Sequence, residues 1–199
     1  MRIDIPNVQG SGEKWLDIMR AICGDTSKQS LIDCMCHHAP YTPQLGFKKR
    51  TYVDTLNRGL DFKKEQRYFF KRDILDFLAD VPPKFYSTAI CSDGVEHFRL
   101  PEAMKLLAYM EKASFRQILF TPLGSHNIEK VETNDPDSHK SGWTPGMLEK
   151  IFPGHFAYIV MPNFHNTVGA FFFFHTPNLE QEFERIYNEL KQIEWTKLS

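Results

Sequence analysis

Short β-prone runs alternate with amphipathic helical stretches along this chain, an order that implies a parallel sheet covered on both faces. The runs are "QSLIDCM" (29–35), "RTYVD" (50–54), "RYFFKRD" (67–73), "FYSTAICSD" (85–93) and "FRQILFTPLG" (115–124). Before the first of them, "GEKWLDIMRAIC" sets Trp15, Ile18, Met19 and Ile22 at the i, i+3, i+4, i+7 spacing of one buried helical face, with Gly24 as its stop. "ILDFLADV" reads as a short helix ahead of Pro82 and Pro83. "LPEAMKLLAYMEKA" (100–113) gathers Ala103, Leu106, Leu107, Met110 and Ala113 on one side, with Pro101 near its start. "TPGMLEKIF" is a further helix, capped by Thr144. The pattern then changes. "FAYIVMPNFHNTVGAFFFFH" reads as two strands joined by a loop, and "NLEQEFERIYNELKQI" closes the chain as an amphipathic helix.

In open sheets of this kind, ligands sit beyond the carboxyl ends of the strands, where the winding reverses. The residues at those ends are Asp33 with the run "CMCHH" behind it, Asp54, Asp73, and Ser92 with Asp93. Acids are common in strand-ending turns for backbone reasons alone, so the weight lies in four consecutive ends sharing one. The 199 residues suit a single domain, 1–199, with no repeat or linker. A net charge of −1 argues against a nucleic-acid or anionic-membrane surface, and no apolar run reaches the length of a membrane helix. Cysteines at 23, 34, 36 and 91 form no disulfide framework, so a reducing cytoplasm is the expected setting. "CMCHH" packs four zinc-type ligands into positions 34–38, yet lacks the two separated pairs that a structural zinc site uses. No metal site is expected.

These strand ends resemble the motifs of the class I S-adenosylmethionine-dependent methyltransferases. The family's first strand reads like "vLDlGCGtG", against "LIDCMCHHA" (31–39) here. Asp33 and Cys36 match, while Met35, His37 and Ala39 replace glycines. "TYVD" sets Asp54 where the family binds the ribose hydroxyls, and "RDILDFL" offers Asp73 beside the adenine amino group with Ile74 as ring-packing neighbour. "YSTAICSDGVEHF" is similar to the family's fourth strand, "fDvVicsevlEHl". The segment "SHKSGWTPGMLEKIF" is similar to one that some bacterial members carry before their last strand pair. The resemblance spans roughly residues 29–175.

The resemblance implies a Rossmann-like, doubly wound, mostly parallel sheet with an antiparallel C-terminal strand pair, to which the final helix is an addition. It also implies S-adenosyl-L-methionine as cofactor, with Asp33, Met35, Cys36, His37, Asp54, Asp73, Ile74 and Ser92 as its contacts. Methyl transfer to a hydroxyl or protonated amine needs a base; Asp93, His126 and His139 are the candidates at the same mouth. Glu96 and His97 are expected to start the helix after the fourth strand. Trp143 reads equally as a packing anchor or a substrate platform. The irregular stretch from Ser125 to Gly142 is long enough to serve as a closing segment over the acceptor, with His139 in contact. No motif names the acceptor; near-neutral charge favours a small molecule or sugar unit. A non-catalytic interaction module on the same fold is the alternative, and the apolar face of the last helix would also suit a homodimer seam.

Overall fold

The computed structural model describes residues 1–6, 14–37, 41–56, 67–124, 138–164, 167–175 and 178–195. Among the described residues, eight strands form one sheet: β1 (Arg2–Asp4), β2 (Ser30–Cys34), β3 (Lys49–Asp54), β4 (Arg67–Lys71), β5 (Tyr86–Ser92), β6 (Ser114–Pro122), β7 (Ala157–Phe164) and β8 (Thr167–His175). Five α-helices accompany them: α1 (Trp15–Cys23), α2 (Ile74–Asp80), α3 (Leu100–Ala113), α4 (Pro145–Ile151) and α5 (Leu179–Leu190). The strand order is β1-β7-β8-β6-β5-β2-β3-β4. From β4 to β6 all neighbours are parallel, and β8 lies antiparallel to both β6 and β7.

The alternation of side chains along each strand divides the core into two layers. Leu31, Ile90, Ile118, Phe171 and Phe173 face α1 and α5, while Ile32, Cys91, Leu119 and Phe172 face α2, α3 and α4. The faces expected of α1 and α3 are buried: Trp15, Ile18, Met19 and Ile22 on the first, and Ala103, Leu106, Leu107, Met110 and Ala113 on the second. The added helix α5 closes the α1 side. Ile186 and Leu190 are buried, Leu179, Phe183 and Ile193 pack against the same cluster, and Tyr187 is left exposed. Arg185 donates to the carbonyls of Ala21 (2.8 Å) and Ile22 (3.1 Å), closing the orphan end of α1.

The structure adds one strand and settles three readings. Arg2–Asp4 forms an edge strand parallel to β7, burying Ile3; three residues are too few for alternation to announce it. The "RYFFKRD" strand ends at Lys71, and Asp73 instead caps α2, accepting from the backbone N–H groups of Leu75 (2.8 Å) and Asp76 (3.2 Å). Glu96 and His97 do not start a long helix. They lie in a single 3-10 turn (Val95–His97), and the first turn of α3 is closed by Glu102, which accepts from the Arg99 N–H at 3.2 Å. Trp143 is fully buried, its Nε1–H donating to Ser141 Oγ at 2.9 Å, so it anchors packing and presents no platform. The start of the first predicted helix at residues 12–13, most of the Ser125–Gly142 stretch and His126 lie outside the described residues.

Candidate active site

The winding reverses between β2 and β5, which are neighbours with β3 on one side and β6 on the other. The crevice outside the carboxyl ends of β2 and β5 is therefore the expected ligand site. Two cavities open there. One, of about 410 Å³, is bounded by Asp33, Met35, Cys36, His37, Ser92, Asp93 and His97, with Trp15, Tyr41 and Thr42 across from the strand ends. The other, of about 240 Å³, is bounded by Met35, Asp54, Thr55, Arg72, Asp73 and Ile74, with His97, Phe98, Glu102 and Lys140 completing it. Met35 and His97 line both. Eight expected cofactor contacts and Asp93 thus share one cleft.

The turn after β2 keeps the backbone path that glycines would allow, despite carrying side chains. Met35 and His37 adopt φ of 61° and 45°. The Val53 carbonyl accepts from both Met35 N–H (2.9 Å) and Cys36 N–H (3.3 Å), and Asp54 Oδ2 accepts from His37 N–H at 2.9 Å. Gly94 makes room for the Met35 side chain: a Cβ there would meet Met35 Cβ and Sδ at 3.3 Å and Cys91 Sγ at 2.8 Å. Asp54 Oδ1 accepts from Leu56 N–H at 2.9 Å, so each Asp54 oxygen takes one backbone bond and keeps further acceptor capacity.

Two carboxyl groups in or beside the cleft, Asp33 and Glu96, are buried, while Asp93 stands exposed at its mouth. Burial pushes Asp33 up to about 7; the Thr42 hydroxyl, donating to it at 2.5 Å, opposes this, and the Asp54 charge adds to it. Asp93, itself at a positive φ of 48°, is raised to about 7 by desolvation of its carboxyl and the Glu96 charge, with His139 opposing. Glu96 is likewise raised to about 7, mainly by burial. Its Oε2 accepts from Thr121 Oγ1 at 3.1 Å, while Oε1 is buried with no hydrogen-bond partner.

Among the candidate bases, Asp93 lines the larger cavity, and His139 lines neither. His139 packs edge-on against His97, which lines both cavities, with ring centroids 5.1 Å apart. The four cysteines are free; burial raises the thiols of Cys34 and Cys36, which are poor nucleophiles and poor metal ligands in that state. Sequence reasoning assigned Trp15 to the core and missed Tyr41, Thr42, Arg72 and Lys140. The stack of Trp15 on Tyr41, 4.5 Å between ring centroids, brings together residues 26 positions apart (41 − 15), which no local pattern signals.

No protein-family model matches the sequence, and no curated protein matches it. Solved structures do match in fold. Magnesium protoporphyrin IX methyltransferase from Synechocystis PCC 6803, with bound SAH, superposes with a TM-score of 0.63 at 15% identity, covering 85% of each chain. N-methyltransferase NodS from Bradyrhizobium japonicum WM9 gives 0.63 at 9% identity, covering 85% of this chain and 98% of that one. Burkholderia thailandensis 1,6-didemethyltoxoflavin-N1-methyltransferase, with bound 1,6-didemethyltoxoflavin and S-adenosylhomocysteine, gives 0.61 at 12% identity, covering 84% and 79%. The chain has the class I methyltransferase fold.

Proposed function

We propose that this chain is an S-adenosyl-L-methionine-dependent methyltransferase acting on a small molecule or sugar unit. The observation that carries the reading is the pair of cavities along the carboxyl ends of β2 to β5, joined by Met35 and His97 and lined by the acids of successive strands. The residues fit the cofactor. Asp54 has acceptor capacity left for ribose hydroxyls, Asp73 and Ile74 offer an acceptor and an apolar wall for an adenine ring, and the 33–37 turn with Ser92 borders the space for an amino-acid tail. The Met35 side chain packs over Gly94, which compensates for the missing glycine. When bound, the cofactor supplies a methyl group on a sulfonium, already a strong donor, so orienting the acceptor is the protein's main contribution. Asp93 at the wall of the larger cavity is the group best set to take an acceptor proton near neutral pH, its carboxyl held near 7. His139 acts from behind His97.

The acceptor class rests on size and charge. A cavity of about 410 Å³ lies in the range of small-ligand sites, and Asp33 and Asp93 at its wall disfavour a phosphate backbone. The replaced glycines favour one other reading, an interaction module on this fold without turnover. Incubation with S-adenosylmethionine labelled in its methyl group, together with a cell extract, separates the cases. Label in the small-molecule or saccharide fraction is expected, and is reduced at least about tenfold by Asp93→Asn. Label in RNA or protein would overturn the acceptor class; no transfer to any fraction, with the cofactor bound, would favour the module.

A further inference from the structure

Beside the proposed cofactor cleft lies a group of side chains that methyl transfer from a sulfonium does not require. Glu96, His97 and His139 each bring one potential ligand atom, all within 4.8 Å of one another. We infer that Glu96, His97 and His139 form a binding site for a first-row divalent transition-metal ion. Two imidazoles and one carboxylate make the donor set of sites that keep open positions for water or substrate oxygen.

Four further features fit a metal site. Glu96 is 2% exposed, with Oε1 buried and unpartnered, a state that a cation would relieve. The other oxygen is held by Thr121 Oγ1, as outer-shell donors orient a ligating carboxylate. His97 Nδ1 faces the Ser138 carbonyl at 3.2 Å, the contact that fixes a metal-bound imidazole and assigns Nε2 as the ligand atom. The backbone after His139 is tied to the same glutamate: Lys140 N–H (2.7 Å) and Ser141 N–H (3.0 Å) both donate to the Glu96 carbonyl, so three ligands from two distant segments are held in register. The site is separate from the "CMCHH" run, whose described members are not in the group. Because His97 also lines both cavities, an ion here is placed to take an oxygen of the acceptor. That consequence rests on the methyltransferase reading; ion binding does not.

The test is titration of chelator-treated full-length protein with Co²⁺, read by its visible absorption and by calorimetry. One Co²⁺ per chain is expected, with affinity falling at least about tenfold in His97→Ala and His139→Ala and in the conservative Glu96→Gln, while Cys36→Ser binds as wild type. Circular dichroism of each variant, with His139→Gln as a second substitution at that position, separates lost ligation from lost fold. Absence of binding to folded protein would overturn the site, as would binding that survives His97→Ala and His139→Ala, or that disappears in Cys36→Ser. S-adenosylhomocysteine titrated into the same samples keeps the two readings distinct: cofactor binding without Co²⁺ binding rejects the metal site alone, and the converse rejects the methyltransferase reading alone.

Discussion

Met35 and His37 hold left-handed backbone, at φ of 61° and 45°, which costs a non-glycine residue about 1–2 kcal/mol. Such conformations persist where the surroundings determine them, and here they are fixed by Val53 and Asp54 from the neighbouring strand. Met35 and His37 therefore keep backbone that glycine favours while their side chains add to the lining of the cleft. Asp33, one residue before the end of β2, shows the electrostatic side of the same turn. Its pKa is raised to about 7, chiefly by burial. A carboxyl raised above its unfolded value binds its proton more tightly when folded, so stability falls as pH rises from about 4 to about 7 and is level above. Asp33→Asn removes that loss. Urea unfolding of ligand-free protein should show the variant gaining on wild type across this window; a difference independent of pH would contradict the burial argument.

At the scale of elements, the amphipathic helices were legible because their buried faces depend on local spacing, as in Ala103 to Ala113 of α3. Strand ends were legible to within a residue or two, since Gly, Pro and Asp punctuate them. Arg2–Asp4 was not, because a three-residue strand exists only through its partner Tyr158–Val160. The turn holding Glu96 and His97 was misread for a related reason: its shape is set by Thr121 and by the backbone of Lys140 and Ser141, all distant in sequence. The last helix could be read as a cover or as a dimer seam from its apolar face alone. In the structure that face packs on α1 and the sheet, with Ile186 fully buried. Ile186→Ala should cost about 2–5 kcal/mol in denaturant unfolding, with the cleft unaffected because no α5 residue lines either cavity. A loss under about 0.5 kcal/mol, the range of surface changes, would mean that α5 is dispensable to the core.

For the whole molecule, the parallel half of the sheet fixes where the cleft lies, and the antiparallel strands β7 and β8 extend the sheet on the side away from it. Asp33, Asp54, Asp73 and Asp93 line the cavities, a placement legible in the sequence because residues at or just after the strand ends of one parallel sheet meet along one edge. The opposite wall, Trp15 with Tyr41 and Thr42, and the pairing of His139 with His97 come from tertiary packing that spacing does not encode. On the proposed function, the acids along that edge hold S-adenosylmethionine. Calorimetric titration with S-adenosylhomocysteine tests it most directly. One site per chain is expected, with an affinity loss of at least about tenfold (1.4 kcal/mol) in Asp54→Ala, whose carboxylate borders the smaller cavity. Absence of binding at millimolar ligand by folded wild-type protein, or unchanged affinity in Asp54→Ala, would contradict it.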